Sequence, residues 1–354
     1  MSDRINLKAL SRDQISVFIE ARGLPKYRAE QLLNWIYERY ASSLEEISEF
    51  SKDLRTSLGE IAYIGNLTVV KRQRSSDGTE KFLFGLEDRQ TIESVLIPDK
   101  DRLTLCISSQ VGCAMGCSFC LTGKSGLIRN LRAWEILDQI LSVNRLITPK
   151  KITNIVLMGM GEPLANFEEV VDALKSIISF IGISKRKITL STAGLAPKIL
   201  ELHKMAPDIN LAISLNATTD TVRDRLMPVN RKYPIRSLID ACRRYPLKPR
   251  RMLTVEYVLI SGINDSVADA RRLVRLLKGL RCKVNLIPLN PHEGSGLQRP
   301  SDISVLAFQR VLTDSDMTAL IRESKWQDIL AACGQLRGKH AVDREKADEP
   351  EKNS

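Results

Sequence analysis

The chain has 354 residues, 43% of them hydrophobic, and carries a formal charge of +11. That length can bury a large core and suits one barrel with extensions or two to three domains. No run of about 18 apolar residues offers a transmembrane helix, and the opening Met1-Ser-Asp-Arg lacks the apolar segment of a secretory leader, so a cytoplasmic protein with no membrane attachment is expected.

Residues 1–62 read as a small helical domain. Ser11-Arg-Asp-Gln starts a capped helix that Gly23-Leu-Pro25 ends, and Leu32, Leu33, Trp35 and Ile36 stand at helical spacing in the next. Tyr27, Trp35, Tyr37 and Tyr40, interleaved with Lys26, Arg28 and Arg39, would suit RNA. Yet residues 1–60 balance 9 basic against 10 acidic groups, which fits a packed module equally. Residues 63–101 change to period two: Leu67-Thr-Val-Val-Lys, Glu80-Lys-Phe-Leu-Phe and Thr91-Ile-Glu-Ser-Val-Leu-Ile read as a short antiparallel β segment. Glu93 sits among apolar residues in the third strand, where a carboxylate ordinarily faces water at an edge.

Over residues 102–300 the rhythm is strand, loop, helix. Strands are expected at 103–109, 153–158, 187–191, 210–215, 252–260 and 282–287, and helices at 133–146, 166–180, 196–204, 235–244 and 266–278. Six such units predict an α/β fold, an incomplete (β/α)6 barrel, with an open doubly wound sheet as the alternative. In either case chemistry belongs at the C-terminal ends of the strands. Gly159-Met-Gly-Glu-Pro163, Ser191, Ser214-Leu-Asn216 and Asn290 all fall there. Residues 301–340 form a C-terminal extension with a helix, a short strand at Met317–Arg322 and a loop holding Cys333. The polar tail 341–354 is predicted to be disordered. No repeat at solenoid periods is present.

Charge is concentrated in residues 181–290, with 21 Lys and Arg against 8 Asp and Glu. A polyanion that releases counterions on binding is one reading, a solvated basic face the other. Seven cysteines in a reducing compartment favour metal or redox chemistry over a disulfide framework. Three of them, Cys113, Cys117 and Cys120, form C-x3-C-x2-C with Gly112 and Gly116 directly after the first barrel strand. Three thiolates cannot complete a four-thiolate site, so a cubane held this way keeps one iron open to an outside ligand. Zinc would want a fourth Cys or His, and the histidines lie at 203, 292 and 340. Cys242 and Cys282 match no motif and read as core; Cys106, in a strand, would by itself read the same way.

This cysteine trio, with Gly159-Met-Gly-Glu-Pro163, resembles the radical S-adenosylmethionine (SAM) superfamily. Segments such as Leu105-Cys-Ile-Ser-Ser-Gln-Val-Gly-Cys-Ala-Met-Gly-Cys-Ser-Phe-Cys120, Thr189-Leu-Ser-Thr-Ala-Gly194, Asn285-Leu-Ile-Pro-Leu-Asn290 and Ala332-Cys-Gly-Gln-Leu336 extend the resemblance to the RlmN/Cfr family over residues 5–340. The resemblance implies one [4Fe-4S] cluster on Cys113, Cys117 and Cys120, and SAM held by Gly161, Glu162, Ser191, Ser214, Leu215, Asn216 and Asn290. It implies that Cys333 carries a methyl group taken from one SAM, that a second SAM yields the radical activating it, and that Glu93 removes a proton from the adenine. Cys106 then releases the product through a transient disulfide with Cys333. The implied substrates are 23S rRNA and tRNA, methylated at adenine C2. The implied electron donor is a low-potential protein such as flavodoxin or ferredoxin, and the enzyme a monomer. C8 methylation of adenine, or a non-catalytic Fe–S or zinc RNA-binding protein, are the alternatives. Asn216 stands where some relatives have His, and Trp326 where relatives commonly have Gly.

Overall fold

Ten strands lie side by side in one sheet in the order of the chain: β1 (Thr68–Arg74), β2 (Glu80–Gly85), β3 (Thr91–Asp99), β4 (Arg102–Cys106), β5 (Asn154–Leu157), β6 (Ile188–Thr192), β7 (Asn210–Ser214), β8 (Leu253–Leu259), β9 (Cys282–Pro288) and β10 (Ala319–Ile321). This computed structural model describes residues 4–291, 295–322, 329, 331, 332 and 334–336. From β1 to β4 pairing is antiparallel; from β4 to β10 it is parallel. The three expected N-terminal strands are thus continuous with the parallel sheet, and the short strand after residue 317 extends it by a seventh parallel member.

Parallel neighbours need crossovers, and helices supply them. These are α4 (Ala133–Ile147), α5 (Phe167–Ser176), α6 (Ala196–Met205), α8 (Ile235–Arg244), α9 (Val267–Leu277) and α10 (Asp302–Thr313), with a short α7 (Asp220–Leu226) ahead of α8. The two faces of the sheet differ in chemistry. Ile155, Leu157, Ile188, Leu190, Leu211, Ile213, Val255, Tyr257, Val284 and Leu286 are at most 2% exposed and form the apolar side packed with the helices. The alternate positions are Cys106, Thr189, Ser191, Ser214, Thr254, Glu256 and Asn285, kept in step by the cross-strand register. This second face is the polar lining at whose upper edge the cysteine loop sits.

The N-terminal helices α1 (Arg12–Glu20), α2 (Tyr27–Tyr37) and α3 (Lys52–Ile61) pack as a module. Ser11 and Gln14 close α1 with a reciprocal capping box. Tyr37 and Tyr40 are buried, Tyr37 stacking on Phe180 at 4.4 Å, whereas Tyr27 is exposed and Arg39 lies over Trp35. The packed reading holds for both buried tyrosines. A buried polar latch joins the module to the sheet. Lys8 Nζ reaches Asp138 Oδ1 on α4 at 2.5 Å, and Asp138 Oδ2 accepts from Leu67 N at 2.7 Å and Ser142 Oγ at 3.0 Å. Among the described residues no helix is long and apolar enough to cross a membrane. Trp326 and the tail 341–354 lie outside the described residues.

Candidate active site

The cysteine loop leaves β4 through a two-stranded ribbon, Gln110–Gly112 against Leu127–Asn130. Gly112 has φ +75, and a Cβ there would lie 1.9 Å from Gly126 O. Only glycine admits this crossing, which Cys113 N closes with a 2.7 Å bond to Gly126 O. The next turns are short: Met115 N points to Cys113 Sγ at 3.5 Å, Cys120 N bonds Cys117 O, and Ser118 N bonds Leu226 O at the end of α7. Met115, Cys117 and Phe119 pack on a separate apolar cluster of Ala193, Leu226, Met227, Ile260 and Leu289, which backs one side of the loop, while Ala114 and Gly116 are exposed.

Burial pushes the Cys113 thiol up to about 12, and Cys117 higher still, with each other and with Cys120 and Glu162 as further negative neighbours. Thiols so buried ionise only against a cation, as they do on iron. Among the described residues no group of three His, Cys, Asp or Glu forms a site for a single metal ion. In a cubane each cysteine takes a different iron. Two buried polar atoms without hydrogen-bond partners among the described residues, Ser118 Oγ and Asn290 Oδ1, mark positions where a bound group would complete the site. The donor set therefore fits the cluster and a polar ligand beside it.

Gly159-Met-Gly-Glu-Pro163 is held against the end of β4. A Cβ on Gly159 would stand 2.7 Å from Ile107 O, and one on Gly161, at φ +102, 2.6 Å from Gln110 Cβ. Both glycines are required by close backbone approach. Gln139 of α4 pins this junction: its Oε1 accepts from Ser94 Oγ and Ser108 N, and its Nε2 donates to Ser108 O. Ser108 Oγ donates to Glu93 O at 2.6 Å and accepts from Met160 N at 2.9 Å. Glu162 is buried, which raises its carboxyl above the usual range. Its oxygens accept from Leu164 N (3.0 Å) and Ala193 N (2.6 Å), bracing the ends of β5 and β6.

Ser191 and Ser214 are half-buried on the polar face at the ends of β6 and β7. Leu215 is buried, with its N bonded to Glu256 O. Asn216, in the left-handed region at φ +57, donates from Nδ2 to Met227 Sδ and accepts at Oδ1 from Val258 N, so both ends of its amide are occupied within the fold. Asn290 follows β9 and is buried. Sequence reasoning missed the residue that ties these ends together. Arg223 of α7 is fully buried; its Nε donates to Leu215 O, Nη1 to Asn230 Oδ1, and Nη2 to Ala193 O and Ser214 O. Burial lowers its guanidinium to about 10, with Cys117 the leading opposing influence. Lying in the basic stretch, it looked like one more surface cation.

Glu93 is buried in the interior of the sheet, contrary to the exposed-edge expectation, because β1 and β2 continue beyond it. Val95 pairs with Cys106, and Glu93, two residues before Val95, shares the side of the sheet opposite Ser94 and α4. Glu93 and Cys106 therefore look onto one face. Cys106 is buried, and Cys242 and Cys282 are core residues as expected. Cys333 lies outside the described residues. Its neighbours do not: Leu121 N donates to Gly334 O at 2.7 Å, Thr122 Oγ1 to Leu336 O at 2.6 Å, and a Cβ on Gly334 would be 3.0 Å from Phe119 O.

Part of the basic stretch lies on α8 and α9. A cleft of about 520 Å³ between these helices is lined by Arg236, Arg243, Arg272 and Arg275, with Asp220 and Asp240 as its acidic members.

Two families match parts of the chain: the radical SAM superfamily over residues 107–274 and the ribosomal RNA large subunit methyltransferase N-terminal domain over residues 5–64. The chain is 50% identical over 341 residues to a dual-specificity RNA methyltransferase RlmN of Geobacter sulfurreducens, covering 96% of this chain and 94% of that one. It is 51% identical to the protein of the same name from Syntrophus aciditrophicus, covering 95% and 97%. Among solved structures it is similar to a radical SAM methyltransferase from Sphaerobacter thermophilus, with 42% identity, 95% and 100% coverage and a TM-score of 0.91.

Proposed function

The chain belongs to the radical SAM superfamily and, within it, to the RlmN family, and from that premise we propose that it methylates C2 of adenosine in RNA. The proposed sites are the peptidyl transferase centre of 23S rRNA and the adenosine 3′ of the anticodon in some tRNAs. Cys113, Cys117 and Cys120 hold a [4Fe-4S] cluster. Gly161, Glu162, Ser191, Ser214, Leu215, Asn216 and Asn290 form the surroundings of SAM, some by side chain and others, such as Gly161 and the fully bonded Asn216, by backbone shape. When bound, these groups supply an electron, a methyl group and a 5′-deoxyadenosyl radical.

The protein's own residues do the rest. Adenine C2 is electron-poor and cannot attack a methyl sulfonium, so Cys333 Sγ, a competent nucleophile once ionised, takes the methyl group first. After the activated carbon joins C2, the adduct gives up one electron, which the cluster would take back, and the Glu93 carboxylate accepts the C2 proton. Cys106 Sγ then loses its thiol proton and bonds Cys333 Sγ; the carbon–sulfur pair stays on the methylene carbon, which takes up a proton to become the methyl group, and the methylated RNA leaves with the enzyme as a disulfide to be reduced before the next round. The apolar residues Met115, Phe119, Leu226 and Met227 back one side of the loop beside these steps.

One observation carries this reading: Gly334, adjacent to Cys333, is bonded to Leu121, adjacent to Cys120. Two segments more than two hundred residues apart are joined where the methyl carrier and the radical source must meet. The cleft arginines support RNA as the polyanion. A low-potential donor such as flavodoxin or ferredoxin, a monomer and a cytoplasmic setting complete the proposal. Mass spectrometry of nucleosides from a deletion strain tests it, on ribosomal and transfer RNA separately. Loss of 2-methyladenosine is expected; loss of 8-methyladenosine in its place overturns the C2 assignment. If the anaerobically reconstituted protein yields no 5′-deoxyadenosine from SAM and dithionite, the radical chemistry fails altogether.

A further inference from the structure

Two opposite charges are buried together on the polar face of the antiparallel strands. Lys81 Nζ lies 3.5 Å from Glu93 Oε1, with the side chains 10% and 9% exposed. Lys81 on β2 pairs with Val95, and Leu83 pairs with Glu93, so Lys81 and Glu93 are diagonal neighbours on the face that Val95 shares with Cys106. The nearby Arg72–Glu80 pair differs: its arginine is 42% exposed and available to water.

Burying two ions is costly, and an apolar pair of similar volume would ordinarily hold two strands together as well. A cation fixed beside a buried carboxylate sets the direction in which its oxygens point, and a general base works only when it is aimed at the proton it takes. We infer that Lys81 is a positioning residue for the proton-transfer step: it holds the Glu93 side chain in place and aims its carboxylate at the C2 proton of the RNA adduct. This rests on the reading of Glu93 as the base. The proton passes from C2 to the Glu93 carboxylate, and Lys81 takes no part in the transfer itself.

The consequence is specific to one stage. Without Lys81, methyl transfer to Cys333, SAM cleavage and carbon–carbon bond formation still proceed, but the adduct keeps its C2 proton. RNA then stays covalently joined to the protein, a species visible on a denaturing gel. A loss of general-base function is worth about 10²-fold or more in rate.

The test uses full-length, cluster-loaded protein with an RNA substrate. Lys81→Met is expected to lower product formation about 10²-fold, to accumulate the RNA–protein adduct, and to leave single-turnover 5′-deoxyadenosine formation and the RNA Kd within about threefold of the parent, a spread small beside the expected loss in rate. Lys81→Arg should restore most of the turnover. In the double variant Lys81→Met/Glu93→Gln the stall should equal that of Glu93→Gln alone, because the two residues act as one unit. Turnover by Lys81→Met at the parental rate overturns the inference, as does a parallel loss of SAM cleavage and thermal stability with no adduct. Should Lys81→Met fail to fold, the double variant, which removes both charges, is compared with Glu93→Gln, and a stall deeper than that of Glu93→Gln alone overturns the inference. Full activity of Glu93→Gln would instead remove the base assignment itself. A stall in Glu93→Gln without one in Lys81→Met would reject Lys81 alone.

Discussion

Replacing Arg223 with methionine removes a guanidinium that makes four hydrogen bonds while fully buried. Three of its partners are backbone carbonyls at the ends of β6 and β7. Methionine fills much of the same volume but donates nothing, so Leu215 O, Ser214 O, Ala193 O and Asn230 Oδ1 all lose a partner. Hydrogen bonds to a charged group contribute roughly 1.5–3 kcal/mol each. Simple addition overshoots, because the burial that lowers the guanidinium to about 10 is relieved at the same time. A net loss of about 4 kcal/mol is the reasonable figure for breaking a buried charged network. For a chain of 354 residues that corresponds to about 5 °C in Tm. The loss should also be local, since the freed carbonyls belong to the segments that carry Ser191 and Ser214. Thermal melting and equilibrium dialysis of SAM, both on anaerobically reconstituted protein, measure the two effects. Arg223→Lys, with one or two bonds retained, should fall between. If Arg223→Met melts within about 1 °C of the parent, under a quarter of that shift, and binds SAM equally well, Arg223 does not organise the strand ends.

Three further outcomes are expected. Gly112→Ala places a methyl 1.9 Å from Gly126 O at a φ of +75, so the ribbon must open; iron content and near-400-nm absorbance after reconstitution should fall to about half or less, and full cluster loading would show the crossing to be dispensable. Lys8→Met leaves the Asp138 carboxylate buried without its cation and should cost about 3–5 kcal/mol, seen as faster hydrogen exchange at the Leu67 amide; unchanged exchange there would refute the latch. Arg236→Ala with Arg275→Ala should flatten the dependence of log Kd for RNA on log salt by about 0.7 per lost phosphate contact, with SAM cleavage in the absence of RNA unaltered; an unchanged slope would take RNA out of the cleft.

The period-two and period-3.6 patterns place the first six parallel strands and five crossover helices almost residue for residue, because those patterns record which side of each element meets the core. The cysteine loop is legible for a different reason: its chemistry is packed into eight consecutive positions. Glu93 was misjudged as an edge carboxylate since strand order beyond β3 is a long-range property; two further strands cover it. Ser108, Gln139 and Arg223 gave no signal at all. Each is a polar residue whose partners come from elsewhere in the chain, and a polar residue read alone looks like surface. Asn216 illustrates the reverse, a position marked for ligand contact whose amide is used up by Met227 and Val258. The glycines of Gly159-Met-Gly-Glu-Pro163 were visible, but their cause, contact with Ile107 and Gln110, was not.

Because each strand lies beside its predecessor in the chain, the sheet can be laid down in the order in which a ribosome delivers it, without waiting for a distant partner. The bonds from Leu121 and Thr122 to Gly334 and Leu336 do wait for a distant partner, spanning 214 residues in the second case. The cysteine loop is therefore delivered well before the segment that closes over it, and the site is complete only when both are in place.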